Sequence, residues 1–248
     1  MASATAAPAQ GITYGMDDQM VVRRWFGRAA WCGVIGLGVW FINHIEYPGP
    51  SAQVLGVLVL IGAACCAVAW LKMRDSRDGR LALRDRLLEE LAIKGDERVL
   101  DVGCGAGLLS IGAAKLLKSG KVTAVDSWEV DTAPAAVNAG KENAKSEGVA
   151  DRVRFEACDP AKLVYPENQF DVAVSSQYLH QLLDNVQRAQ TLREMFRVAK
   201  SGGRILIFDS GDTGYYAQVL REAGAQEITL SSWSFPGCVP HRAVTAKK

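Results

Sequence analysis

Asp101-Val102-Gly103-Cys104-Gly105-Ala106-Gly107 joins one carboxylate to three glycines on alternate positions. Glycine takes positive φ at no steric cost, so such a stretch turns tightly and lets a ligand approach the backbone more closely than any side chain would permit. The apolar run Arg98-Val99-Leu100 leads into it, and a helix-like run, Leu108 to Leu117, follows. The first N–H groups of that helix have no partner within it and face the turn. The arrangement suits a nucleoside, but a glycine turn between strand and helix serves dinucleotide enzymes as well. The acids that follow narrow the choice. Lys121-Val122-Thr123-Ala124-Val125 reads as a second buried strand ending at Asp126, where a carboxylate can accept from both hydroxyls of a ribose. Val153 to Ala157 reads as a third, leading into Cys158-Asp159-Pro160, where Asp159 can meet the exocyclic amine of adenine.

A second group of reactive side chains follows the fourth strand-like run, Phe170 to Ser176. In Ser175-Ser176-Gln177-Tyr178-Leu179-His180, His180 is the best general base and Tyr178 an alternative. A histidine hydrogen-bonded in a helix turn reads equally well. Trp128, two residues past Asp126, offers an indole face to adenine, and Ser127 is nearer the ribose acid. Cys104 reads as a small apolar residue rather than a nucleophile.

In order and spacing, Asp101 to Gly107, Val125-Asp126, Cys158-Asp159, Phe170 to Ser176 and Lys200-Ser201-Gly202-Gly203-Arg204 resemble the motifs of class I S-adenosylmethionine-dependent methyltransferases. The resemblance spans about residues 80 to 248. It implies S-adenosyl-L-methionine as cofactor, with Asp101 near the cofactor's amino-acid end. Gly103, Cys104, Gly105, Gly107, Asp126, Ser127, Trp128, Cys158, Asp159 and Ser175 are the other expected cofactor-binding residues. His180 and Tyr178 are the expected catalytic residues. The same resemblance implies an α/β fold, a doubly wound seven-stranded, mostly parallel sheet of order 3-2-1-4-5-7-6 with an antiparallel last strand.

The elements that would position these groups are legible from periodicity. Leu81, Leu83, Leu87, Leu88 and Leu91 recur at helical spacing, with Arg84, Asp85, Arg86, Glu89 and Glu90 on the remaining faces. Helices are expected at Thr132 to Glu147, Asn185 to Ala199 and Gly214 to Ala223, and late strands at Arg204 to Asp209, Gln226 to Ser232 and His241 to Ala246.

Composition limits the rest. The chain has 248 residues, 28 basic and 27 acidic, for a net charge of +1. No basic run interleaved with aromatics is present, so nucleic acid is not an expected partner. The six cysteines and three histidines show no metal-ligand spacing and no disulfide framework. Val54 to Leu71 holds 18 consecutive apolar residues and glycines, long enough to cross a hydrocarbon core, and Ala29 to Ile42 holds 14. Pro48-Gly49-Pro50 lies between them. Arg23, Arg24 and Arg28 precede the pair, and Lys72, Arg74, Arg77 and Arg80 follow it, which places both ends on the cytoplasmic side.

Three segments result: an N-terminal stretch 1–24 that could act as an active-site lid, a transmembrane hairpin over 25–78, and a cofactor-binding catalytic domain over 79–248. Only Lys72 to Asp78 separates the second span from the first helix of the catalytic domain, so the pocket mouth is expected to face lipid headgroups. The catalytic domain carries no long insertion to enclose an acceptor. A membrane-anchored enzyme methylating a small lipophilic acceptor (a quinone, isoprenoid, lipid or thiol) is the leading expectation. A protein methyltransferase with a membrane-associated substrate, and a sensor that binds the cofactor without turnover, are the alternatives. Oligomeric state is not legible.

Overall fold

The computed structural model describes residues 26–37, 41, 51–74, 79–127, 133–234 and 240–248, without the side chains at 51–56, 69–74 and 133–136. The chain divides into two compact units, one containing Leu81–Lys248 and one within Met16–Arg80.

In the larger unit, α3 (Arg80–Leu91) precedes β1 (Arg98–Val102), α4 (Leu108–Leu116), β2 (Lys121–Asp126), α5 (Ala133–Ser146) and β3 (Val153–Ala157). Then come β4 (Phe170–Ser176), a 3-10 turn (Leu179–Gln181), α6 (Asn185–Val198), β5 (Ala199–Asp209), α7 (Thr213–Glu222), β6 (Gln226–Leu230) and β7 (Arg242–Lys247). The seven strands form one sheet of order β3-β2-β1-β4-β5-β7-β6, the expected order. β1 pairs in parallel with β2 and β4, and β7 runs antiparallel to both β5 and β6.

The central strands read as unbroken apolar runs because helices cover both faces. On one face Val99, Val122, Val172 and Val174 pack with Leu87, Leu88, Leu109 and Ile111 of α3 and α4. On the other, Leu100, Val102, Val125 and Ala173 pack with Leu192 and Met195 of α6 and Tyr216 and Leu220 of α7. Both halves of this core close beneath the carboxyl ends of β1, β2, β4 and β5, which lie side by side and carry the reactive groups. Open α/β sheets bind ligands at such an edge.

Two expectations are corrected. Arg84 lies not on an outer face of α3 but buried, with 3% of its surface exposed. Its stem packs on Gly112 of α4, where a Cβ would stand 2.5 Å from Arg84 Cδ, while its guanidinium pairs with Asp85 at 2.7 Å. The long arginine side chain thus covers apolar surface with its stem. The second concerns β5, expected over Arg204 to Asp209, which begins earlier, at Ala199. The carbonyl of Lys248 accepts from Gly202 N at 2.7 Å, and Lys248 N donates to Gly203 at 3.0 Å, prolonging the pairing with the β7 side.

The smaller unit contains helix α1 over 26–37 and α2 over Ser51–Arg74, a continuous helix of 24 residues. A Cβ added at Gly62 would lie 3.8 Å from Cys32 Cβ, so the two helices meet there side by side. Trp31, Val34, Leu37, Val57, Val59 and Leu60 are exposed. Among the described residues no helix is long and apolar enough to cross a membrane. Segment 1–24 and the Pro48-Gly49-Pro50 turn lie outside the described residues, as do part of the first expected span and the outer side chains of the second.

Candidate active site

β1 delivers Asp101 into the core, 2% exposed, where its Oδ2 accepts a 2.5 Å hydrogen bond from Ser110 Oγ of α4. Burial, and then repulsion from the Asp126 carboxylate, raises its pKa from 3.8 to about 7 despite the hydroxyl's opposing contribution. Among the described residues no lysine or arginine pairs with it. A buried acid with no cation beside it favours a cationic ligand group that would hold it in its charged form.

The turn beyond Asp101 is left-handed at Gly103, Gly105 and Gly107, with φ of 74°, 51° and 85°. Backbone hydrogen bonds fasten it to β2: Gly103 N and Cys104 N both donate to the Val125 carbonyl, at 2.8 and 3.2 Å. Gly105 N donates to Asp126 Oδ2 at 2.9 Å, tying the expected ribose acid to the turn itself. At Gly103 a Cβ would fall 2.1 Å from Tyr178 Cγ. Tyr178 is therefore seated on the turn, and only glycine permits that approach. Gly107 is similarly crossed by Phe155, whose Cζ would lie 2.8 Å from an added Cβ.

These contacts separate the glycines by experiment. Gly103→Ala must displace Tyr178 and is expected to weaken S-adenosylhomocysteine binding at least about tenfold, beyond the roughly 1–2 kcal/mol of left-handed strain. Gly105→Ala meets no protein atom within 4 Å, so its expected loss in calorimetric titration is the left-handed strain together with a methyl group standing where the turn faces the ligand.

Tyr178, 7% exposed, brings its phenol 3.5 Å from Ser127 Oγ at the end of β2. Burial pushes that phenol further above 10, so it stays protonated near neutral pH and serves as a donor and a wall. Ser127, Asp159 and Tyr178 line one cavity of about 540 Å³ with Gln181, Leu182 and Thr191. Asp159 sits at its rim, where Oδ1 caps its own loop by accepting from Ala161 N at 2.9 Å. Cys158 is partly exposed, with burial raising its thiol, and Cys104 is buried with its thiol raised well above 9. Neither is a nucleophile at neutral pH. Ser175 is 1% exposed at the end of β4, and its Oγ has no hydrogen-bond partner among the described residues. Trp128 lies outside the described residues.

His180 follows Tyr178 in the 3-10 turn, where Nδ1 lies 2.9 Å from Asp209 Oδ1 and the backbone N donates to Asp209 Oδ2 at 3.3 Å. Asp209 ends β5 and is fully buried, and its Oδ1 also accepts from Gly211 N at 2.8 Å. A carboxylate beside Nδ1 selects the tautomer with hydrogen on Nδ1, leaving the Nε2 lone pair to take a proton. Sequence reasoning missed Asp209. The available signal was an acid closing the apolar run Ile205-Leu206-Ile207-Phe208 at the ligand-binding edge.

The sheet order, the left-handed glycine turn at the end of β1 and the acids at the ends of β1, β2 and β3 are those of a nucleoside-binding α/β domain of the methyltransferase type. The family described as a methyltransferase domain matches residues 93–239, more than half of the chain, and the chain belongs to that family. The ubiquinone/menaquinone biosynthesis C-methyltransferase of Azotobacter vinelandii is 35% identical over 141 residues, covering 55% of this chain and 52% of that protein. The 27-O-demethylrifamycin SV methyltransferase of Amycolatopsis mediterranei is 34% identical over 127 residues, covering 51% and 43%. The chain thus spans about half the length of the curated relatives it matches. A SAM-dependent methyltransferase from Aquifex aeolicus superposes with a TM-score of 0.54 at 25% identity, over 72% of this chain and 97% of that one.

The matched family is one of methyltransferase domains, and the residues of this chain fit S-adenosylmethionine as cofactor. The buried Asp101 suits the ammonium of the methionine moiety, and Asp126 beside Ser127 suits the ribose. When bound, S-adenosylmethionine supplies an electrophilic methyl group on a sulfonium that leaves readily. What remains for the protein is alignment, exclusion of water and, for a protonated acceptor, removal of a proton.

Proposed function

We propose that this chain is a membrane-anchored methyltransferase acting on a small lipophilic acceptor of the quinone, isoprenoid, lipid or thiol kind, with its catalytic domain on the cytoplasmic side. The carrying observation is α2, one unbroken helix over the 18-residue apolar stretch, with Val57, Val59, Leu60 and Ile61 47–71% exposed. Exposed apolar faces of this kind mark contacts with a membrane or with other proteins, and the length of the stretch favours the membrane in this reading. The basic residues flanking the two helices set the orientation. The relative from Azotobacter vinelandii, whose name places it in quinone biosynthesis, supports an acceptor that partitions into membranes.

In this reading His180 takes the proton from the acceptor's hydroxyl or thiol, or from a hydroxyl that enriches a ring carbon. Asp209 then stabilises the imidazolium that results. Tyr178 shields the cofactor from water, and Asp101, Asp126 and Asp159 hold its two ends.

The test is direct. Membranes from cells expressing the chain are washed with alkaline carbonate and incubated with methyl-labelled S-adenosylmethionine. The chain is expected in the pellet, with label moving into the organic phase. Recovery of the chain in the supernatant would overturn the anchor, and label confined to protein bands would overturn the acceptor class.

A further inference from the structure

Arg188 stands in the first turns of α6, away from the cofactor acids, yet its guanidinium is spent almost wholly on the loop that carries His180. Nε donates to the Leu179 carbonyl at 3.1 Å, and one terminal nitrogen donates to the Leu182 carbonyl at 2.7 Å and reaches the His180 carbonyl at 3.5 Å. The other terminal nitrogen donates to Asn185 Oδ1 at 2.8 Å. Asn185 is held in turn from α7, because its own carbonyl accepts from Tyr215 Oη at 3.1 Å. These carbonyls belong to the short 3-10 turn and the residue after it, which has no further helical turn to satisfy or stiffen it. A planar fork can bind several carbonyls at once in a fixed geometry, which an ammonium cannot do.

We propose that Arg188 is a positioning residue for His180: by clamping the carbonyls of residues 179, 180 and 182 it fixes the backbone from which the imidazole reaches Asp209. The Nδ1 contact of 2.9 Å requires both partners to be held, Asp209 by the end of β5 and His180 by this clamp. With the clamp gone, the turn relaxes, the Nδ1 contact opens, and Nε2 is no longer reserved as the acceptor of a proton. The role matters only if His180 is the base, so it rests on that reading, but its geometry can be tested without any acceptor.

The readout is the tautomer of His180 in the full-length chain, labelled with ¹⁵N-histidine and saturated with S-adenosylhomocysteine. The chain has only three histidines, so the His180 signals are assigned by their loss in His180→Gln. Wild type is expected to show hydrogen on Nδ1. Arg188→Met is expected to shift His180 towards the Nε2–H form that a free histidine side chain prefers, with S-adenosylhomocysteine still saturating the site, because Asp101 and Asp126 are not touched. Arg188→Lys, which keeps the charge and loses the fork, is expected to shift the same way and serves in its place should Arg188→Met fail to fold. Methylation of organic-phase acceptors should fall about tenfold to a hundredfold in either variant. An unchanged Nδ1–H tautomer in the folded variants would overturn the proposal. Loss of the tautomer without any organic-phase methylation, even in wild type, would uphold the clamp and overturn the acceptor class instead.

Discussion

Asp101→Asn is expected to make the chain more stable at pH 8 and, at the same time, nearly unable to hold its cofactor. The two effects share one cause. Asp101 is 2% exposed, and burial holds its pKa at about 7 against 3.8 in the unfolded chain. Between those values the folded state binds more protons than the unfolded state, so stability falls as pH rises through the window and levels off above 7. A shift of that size corresponds to about 4 kcal/mol at the plateau. Asparagine keeps an oxygen for the Ser110 hydroxyl and carries no charge to bury. The gap in unfolding free energy between Asp101→Asn and wild type should therefore be small near pH 4, widen to pH 7, and stay constant beyond. A gap independent of pH would show that the carboxylate is not held as described. With the charge gone, an ammonium has nothing to meet, and S-adenosylhomocysteine affinity should fall by about 2–5 kcal/mol, thirtyfold or more. A site that gains stability when a polar residue is neutralised, and loses its ligand by the same change, is one in which the acid is kept for binding.

The second large effect is kinetic. His180→Gln is expected to lower methyl transfer about 10²- to 10⁴-fold, the range of a positioned general base, with cofactor affinity unchanged. Asp209→Asn places an amide N–H or oxygen opposite Nδ1 and frees the ring to carry its hydrogen on Nε2, which blocks the base. Because the two residues act as a unit, the double variant should be no slower than His180→Gln alone. Multiplying losses in the double variant would show that Asp209 supports the fold beside Gly211 and not the histidine. Initial rates of label incorporation into the organic phase, with S-adenosylhomocysteine titrations on each variant, supply both readouts.

How much of this was legible in the sequence depends on how local each signal is. The turn at 101–107 and the acids at 126 and 159 are each carried by a few consecutive residues at the end of an apolar run; apolar runs marked the strands, and the family resemblance implied the order in which they are observed. What escaped are pairings across long separations. His180 was visible as a titratable residue beyond a strand, but its partner Asp209 lies 29 residues away on the neighbouring strand, and no spacing rule joins them. The Arg188 clamp was invisible for a related reason, since carbonyls carry no sequence signature. Tyr178 was read as a base because of its position, whereas its seat on Gly103 follows from a backbone turn that only the fold brings beneath it. Arg84 was assigned to an outer face because a charge at helical spacing usually lies there. The small residue that receives its stem, Gly112, is on another helix.

The claim on which the rest depends is that Asp101 and Asp126 present the two ends of a site for S-adenosylmethionine around the glycine turn. Calorimetric titration of the full-length chain with S-adenosylhomocysteine at pH 8 tests it most directly. One saturable site is expected, lost in Asp101→Asn and Asp126→Ala and indifferent to NADH. No heat with S-adenosylhomocysteine, or saturation by NADH in its place, would contradict it.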